Sequence, residues 1–136
     1  MIALDTNMLV RVFVEDAADE HARQQNERAR EFVARSVAAG EQLFVSDVVV
    51  CEAAWVLRSR FKLRNDDVRR FIEGLLALAP RVFENRERLT RAHSAFASAK
   101  GDFADYVIRE HALAAGCEYV ATFDQALLRE DSFRAP

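Results

Sequence analysis

Asp5, Glu52, Asp102, Asp105 and Asp124 are the residues of this chain whose types and positions can do chemistry. Asp5 follows the apolar run 1–4 and Asp124 the run 119–123, and residues just after the strands of a parallel sheet face the crevice where ligands bind. Each also has a plainer role as a helix N-cap, since Asp is a preferred cap and both precede helical patterns. Helical periodicity places Glu52 between Val48, Val49 and Val56 and close to Trp55, on the apolar side of a helix that is apolar nearly all round. A carboxylate buried there needs compensation, by a salt bridge to an arginine or by a bound cation. Asp102 reads as the N-cap of the helix after Gly101, whereas Asp105 borders Ile108 and Ala112 on its inward face and can point into the same crevice as Asp5.

A shared cation accounts for these acids together. Carboxylates about 4 Å apart repel by about 4 kcal/mol at an effective dielectric near ~20, so several stay ionised side by side only around a multivalent ion. Lys62 and Lys100 are the only lysines, and neither lies near the acids in sequence apart from Lys100 before Gly101. Oxygen ligands without Cys or His spacing favour Mg²⁺ or Mn²⁺ over zinc. His21, His93 and His111 form no metal-binding spacing and are assigned to the surface or to packing.

The elements that must position the acids alternate. Strand patterns at Met1–Leu4, Leu43–Val45, Arg81–Phe83 and Tyr119–Phe123, with a fifth at Phe133, are separated by helical patterns at Asn7–Glu15, Asp19–Ala39, Val48–Phe61, Asp66–Ala79, Arg86–Ala99 and Phe103–Ala115. Gly40, Pro80, Gly101 and Gly116 fall where helices should stop, and Ser46 or Asp47 and Asn65 where two should start. The alternation predicts an α/β fold with a parallel sheet.

Composition narrows the class. At 136 residues, 51% hydrophobic and 30% charged, with four glycines and two prolines, the chain reads as one compact domain spanning 1–136. The longest stretch without Asp, Glu, Lys or Arg is eight residues, 92–99, far short of the ~18 apolar residues of a membrane span. Asp5 interrupts the place of a signal peptide, so a cytoplasmic location is expected, with Cys51 and Cys117 reduced and buried. A net charge of −3 gives no global pull on a polyanion, so any nucleic-acid contact must be local. The local candidate is Arg58, Arg60, Lys62, Arg64, Arg69 and Arg70, with Phe61 available to stack a base; helix-end arginines completing C-terminal dipoles explain most of the same residues.

The opening Met-Ile-Ala-Leu-Asp5-Thr6-Asn7, the block Val45 to Glu52, the block Gly101 to Ile108, and Gly116-Cys117 leading to Thr122-Phe123-Asp124 together resemble a PIN domain, in particular the toxin of a VapBC-type toxin–antitoxin pair. Four motifs in register cover nearly the whole chain. The resemblance implies a three-layer α/β fold, with a short, mostly parallel central sheet of four to five strands flanked by helices. It implies Mg²⁺- or Mn²⁺-dependent endoribonuclease activity, with Asp5, Glu52, Asp105 and Asp124 as the catalytic and metal-binding quartet. Thr6, Asn7 and Ser46 become supporting polar residues, and Asp102 an accessory acid ranked below Asp105. A cognate VapB-like antitoxin, an RNA substrate and a homodimer are the implied partners.

Other readings remain. A haloacid-dehalogenase-type phosphotransferase needs a second Asp where Asn7 stands, and a receiver domain needs a late lysine that is missing. The stronger rival is a non-catalytic PIN-like module that binds RNA or a protein, against which the intact quartet stands.

Overall fold

The computed structural model describes residues 1–15, 18–78, 81–98 and 100–136. In chain order the elements are β1 (Ile2–Ala3), α1 (Thr6–Phe13), α2 (Glu20–Ala38), β2 (Leu43–Val45), α3 (Asp47–Ser59), α4 (Asn65–Ala77), β3 (Arg81–Phe83), α5 (Arg86–Phe96), α6 (Phe103–Ala114), β4 (Val120–Ala121), a 3₁₀ turn at Leu127–Arg129 and β5 (Phe133–Arg134). The predicted α/β alternation is the observed one. The expected helix ends at Ala79 and Ala99, and the stop at Pro80, lie outside the described residues.

Local chemistry explains where helices begin and end. Asp5, Asp19, Ser46 and Asn85 each accept a backbone N–H from the first turn of the helix that follows. After α2 and α6 the chain reverses through Gly40 and Gly116, at φ +79° and +89°, a left-handed conformation that costs glycine nothing.

All strand pairs are parallel. The order β1-β2-β3 aligns Ile2 with Leu43 and Leu43 with Arg81, while β4 and β5 form a separate ladder with Val120 beside Phe133. The five strands are therefore present but divide into three and two instead of forming one sheet. The bonds of β4 go to the C-terminal segment, Val120 N–H donating to Ser132 O and Thr122 N–H to Arg134 O, and Ala3 on the free edge of β1 stays exposed.

One apolar cluster joins the layers. Leu43 and Val45 from β2, Val50, Ala53 and Leu57 from α3, Ile72 and Leu75 from α4, Leu89 from α5 and Tyr106 from α6 are buried together. α3 packs against α1, α4 and α6, and β2, paired with β1, leads directly into its start. Cys51 is partly buried as expected, but Cys117 is exposed, because the turn after α6 carries it out to solvent.

Candidate active site

Each candidate acid is oriented by a hydrogen bond to one of its oxygens. Asp5 caps α1, its Oδ1 accepting the Met8 N–H at 2.8 Å. Glu52 Oε2 accepts the Thr6 hydroxyl at 2.5 Å, tying α3 to the first turn of α1. Asp105 Oδ2 accepts the Asp102 N–H at 2.8 Å in a capping box, and Asp124 Oδ1 accepts the Ala126 N–H at 2.8 Å. In all four, one carboxylate oxygen is held and the other takes no hydrogen bond among the described residues.

The structure corrects the expected setting of Glu52. It is exposed, on a face of α3 that also exposes Val48 (73%) and Trp55 (62%), and its partner is a hydroxyl, not an arginine. Because α3 is apolar nearly all round, periodicity cannot tell which stripe packs; the small Ala53 and Ala54 let the opposite stripe approach the core.

Asp102 is the N-cap of α6 and makes an ion pair with Arg58. Asp105 is half-buried, and burial is the main cause raising its pKa above the usual carboxylate range. The negative charges of Asp102, Asp124 and Glu130 push in the same direction, while the Asp102 N–H opposes them. The structure thus associates Asp105 with Asp124, and Glu52 with the Asp5–Thr6 corner. Ser46 caps α3, and Asn7 is exposed beside Asp5.

Two features escaped the sequence. Tyr106, adjacent to Asp105 and fully buried, accepts the Gly101 N–H at 3.0 Å and donates to Glu130 Oε1 at 2.8 Å; burial, then Glu130, pushes its phenol up to about 12. This network holds the turn from which Asp105 projects. The buried acid of α3 is Asp47, whose Oδ2 accepts Arg88 Nε and Nη2 at 2.9 and 2.8 Å and lies 2.9 Å from His111 Nε2. Its N–H donates to Glu84, and its Oδ1 is buried without a partner among the described residues. Only the spacing of opposite charges on separate helices could have suggested this pair.

A family model for the PIN domain matches residues 2–131. The chain belongs to the PIN domain family. No curated protein matches the chain. PIN domains are generally nucleases, and the candidate ligands of this PIN domain are all carboxylates. Among the described residues no three acidic, histidine or cysteine side chains stand close enough to share one ion. The donor chemistry still fits a hard divalent cation: each acid keeps an oxygen free, and the mutual repulsion at Asp105 is what a cation relieves. Among the described residues no helix is long and apolar enough to cross a membrane.

Proposed function

We propose that this PIN domain is a Mg²⁺- or Mn²⁺-dependent endoribonuclease acting as the toxin of a VapBC-type toxin–antitoxin pair. The observation that carries this reading is the shared design of the four carboxylates, each oriented through one oxygen with the other left free. Asp5, Glu52, Asp105 and Asp124 are the residues that would hold the cation, with Thr6 fixing Glu52 and the Asp102 N–H fixing Asp105. When bound, the ion supplies positive charge to the phosphate under attack and makes water a better nucleophile. The chain's own share is to orient: the caps at Asp5 and Asp105 fix their carboxylates to helix ends, and Tyr106 with Glu130 hold the turn before Asp105. Thr6, Asn7 and Ser46 complete the polar rim, and Asp102 stays accessory because its charge is paired with Arg58.

The partners of this reading are cellular RNA, a second copy of the chain and a cognate antitoxin that reaches the acids with Arg or Lys, whose charge can stand in for the cation. The decisive assay is RNA cleavage with Mg²⁺ or Mn²⁺ and with chelator. Cleavage that needs metal, is lost in Asp5→Asn and Asp105→Asn and is less affected in Asp102→Asn is the expected result. Undiminished cleavage by Asp5→Asn would remove the site. Growth arrest on expression, relieved by co-expressing the partner, tests the toxin role. The separation of the acids into two groups favours one other reading, a non-catalytic RNA- or protein-binding module, which an inactive wild type in every metal would select.

A further inference from the structure

A groove of about 490 Å³ runs between the C-terminal half of α3 and the N-terminus of α6, within the ~300–1,000 Å³ of small-ligand sites. Trp55, Arg58 and Lys62 line it, and Asp105 stands at its α6 side. Trp55 is the only tryptophan of the chain and is 62% exposed, one helical turn from Glu52 on the same face of α3. A large aromatic side chain left in water, one turn from Glu52 and in the same groove as Asp105, is a platform on which any base can stack.

The cations around the groove differ in what they have free. Arg58, which lines it with Lys62, is paired with Asp102; in the rest of the basic run Arg64, Arg69 and Arg70 each lie within 4 Å of Asp66 or Asp67, and Arg60, without an ion pair among the described residues, lines a separate cavity with Glu52. Lys62 has no ion pair among the described residues. It also sits at φ +55°, where the other helix ends with left-handed residues, after α2 and α6, carry glycine. A lysine kept where glycine would be unstrained directs a function-based explanation to its charge.

Resting on the endoribonuclease reading, we propose that this groove binds an unpaired nucleotide of single-stranded RNA next to the cleaved bond, its base stacked on Trp55 and its phosphate contacted by Lys62. The occupant is single-stranded, because a base inside a duplex cannot offer its face to an indole.

Trp55 fluorescence reads the site directly, with no other indole to confuse it. A short mixed-sequence single-stranded RNA, held in chelator so that the proposed metal-dependent hydrolysis cannot proceed, serves as the probe, and anisotropy of the labelled strand measures binding separately. Saturable quenching that a duplex of the same sequence does not produce is expected. In Lys62→Gly the affinity falls severalfold, and the slope of log K against log salt becomes shallower by about 0.7, one single-strand phosphate contact. In cleavage assays Trp55→Ala raises KM by roughly tenfold or more with a smaller change in kcat, and Trp55→Phe recovers most of the loss. Binding seen by anisotropy without quenching overturns the proposal, as does Trp55→Ala with wild-type KM. So does a change of oligomeric state in Trp55→Ala, which would make the indole an interface with another copy. Metal-dependent cleavage without quenching sinks this site and spares the nuclease reading; quenching without cleavage in any metal does the reverse.

Discussion

Gly101 tests how tightly the turn before Asp105 is built. A Cβ there would stand 2.6 Å from Leu127 Cδ2, 2.9 Å from Tyr106 Oη and 3.0 Å from Asp105 Oδ2. All three atoms are held where they stand. Leu127 and Tyr106 are buried, the Tyr106 hydroxyl is bonded to Gly101 N–H and Glu130, and Asp105 Oδ2 is bonded to Asp102 N–H. Overpacking costs about 1–3 kcal/mol and a lost hydrogen bond about 1 kcal/mol, so Gly101→Ala should destabilise by about 2–4 kcal/mol. At roughly 3–4 °C per kcal/mol for a chain of this size, the melting temperature should fall by roughly 6–16 °C. Gly74 is the control. It lies inside α4 with nothing within 4 Å of an added Cβ, so Gly74→Ala should stabilise by about 0.5–1 kcal/mol. Thermal melts of the three proteins measure both effects. Below its melting range Gly101→Ala should also cleave RNA about 10- to 10²-fold more slowly, because displacing Asp105 by a fraction of an ångström to an ångström misaligns the site. A Gly101→Ala protein that melts within ~2 °C of wild type would refute the packing argument.

Three further outcomes follow from the same contacts. Asp47→Ala leaves the partly buried Arg88 without its partner and should cost about 3 kcal/mol in chemical denaturation, with Asp47→Ala/Arg88→Met losing less than the sum of the single changes. Burial, then Asp102, Asp124 and Glu130, raises the Asp105 pKa, so ionising it weakens the apo fold as pH rises from the unfolded value through the folded one, and the full loss stands above that window. In chelator at neutral pH, Asp105→Asn should therefore melt above wild type, with the gain fading toward about pH 4, while Asp5→Asn, an equally good cap at an exposed site, should match wild type. Metal at 100-fold over its Kd should stabilise wild type by about 2.7 kcal/mol and both variants less; an Asp105→Asn that melts lower than apo wild type would contradict this. With a thiol reagent near about pH 8, Cys117 should react and Cys51 should not, because burial and the Asp47 carboxylate push its thiol up to about 12.

What the sequence determined by itself is whatever a few neighbouring residues decide. Gly40 and Gly116 end helices because the left-handed turn is a property of one residue, and Asp102 caps α6 because an N-cap needs only the next helical turn. The short strands and their order between helices follow from local runs of β-branched and aromatic residues, and the spacing of the four motifs carried the family. The tertiary structure decided what depends on distant partners. Glu52 and Trp55 face outward because Ala53, Ala54 and Leu57 supply the stripe that packs, a choice that a helix apolar on nearly every side leaves to its neighbours. Asp47 became the buried acid of α3 through Arg88 and His111, 41 and 64 residues away, and Tyr106 became the support of Asp105 through Glu130, 24 residues away. Burying a charge is favourable only when its partner arrives, and the arrival of that partner is set by packing rather than by periodicity.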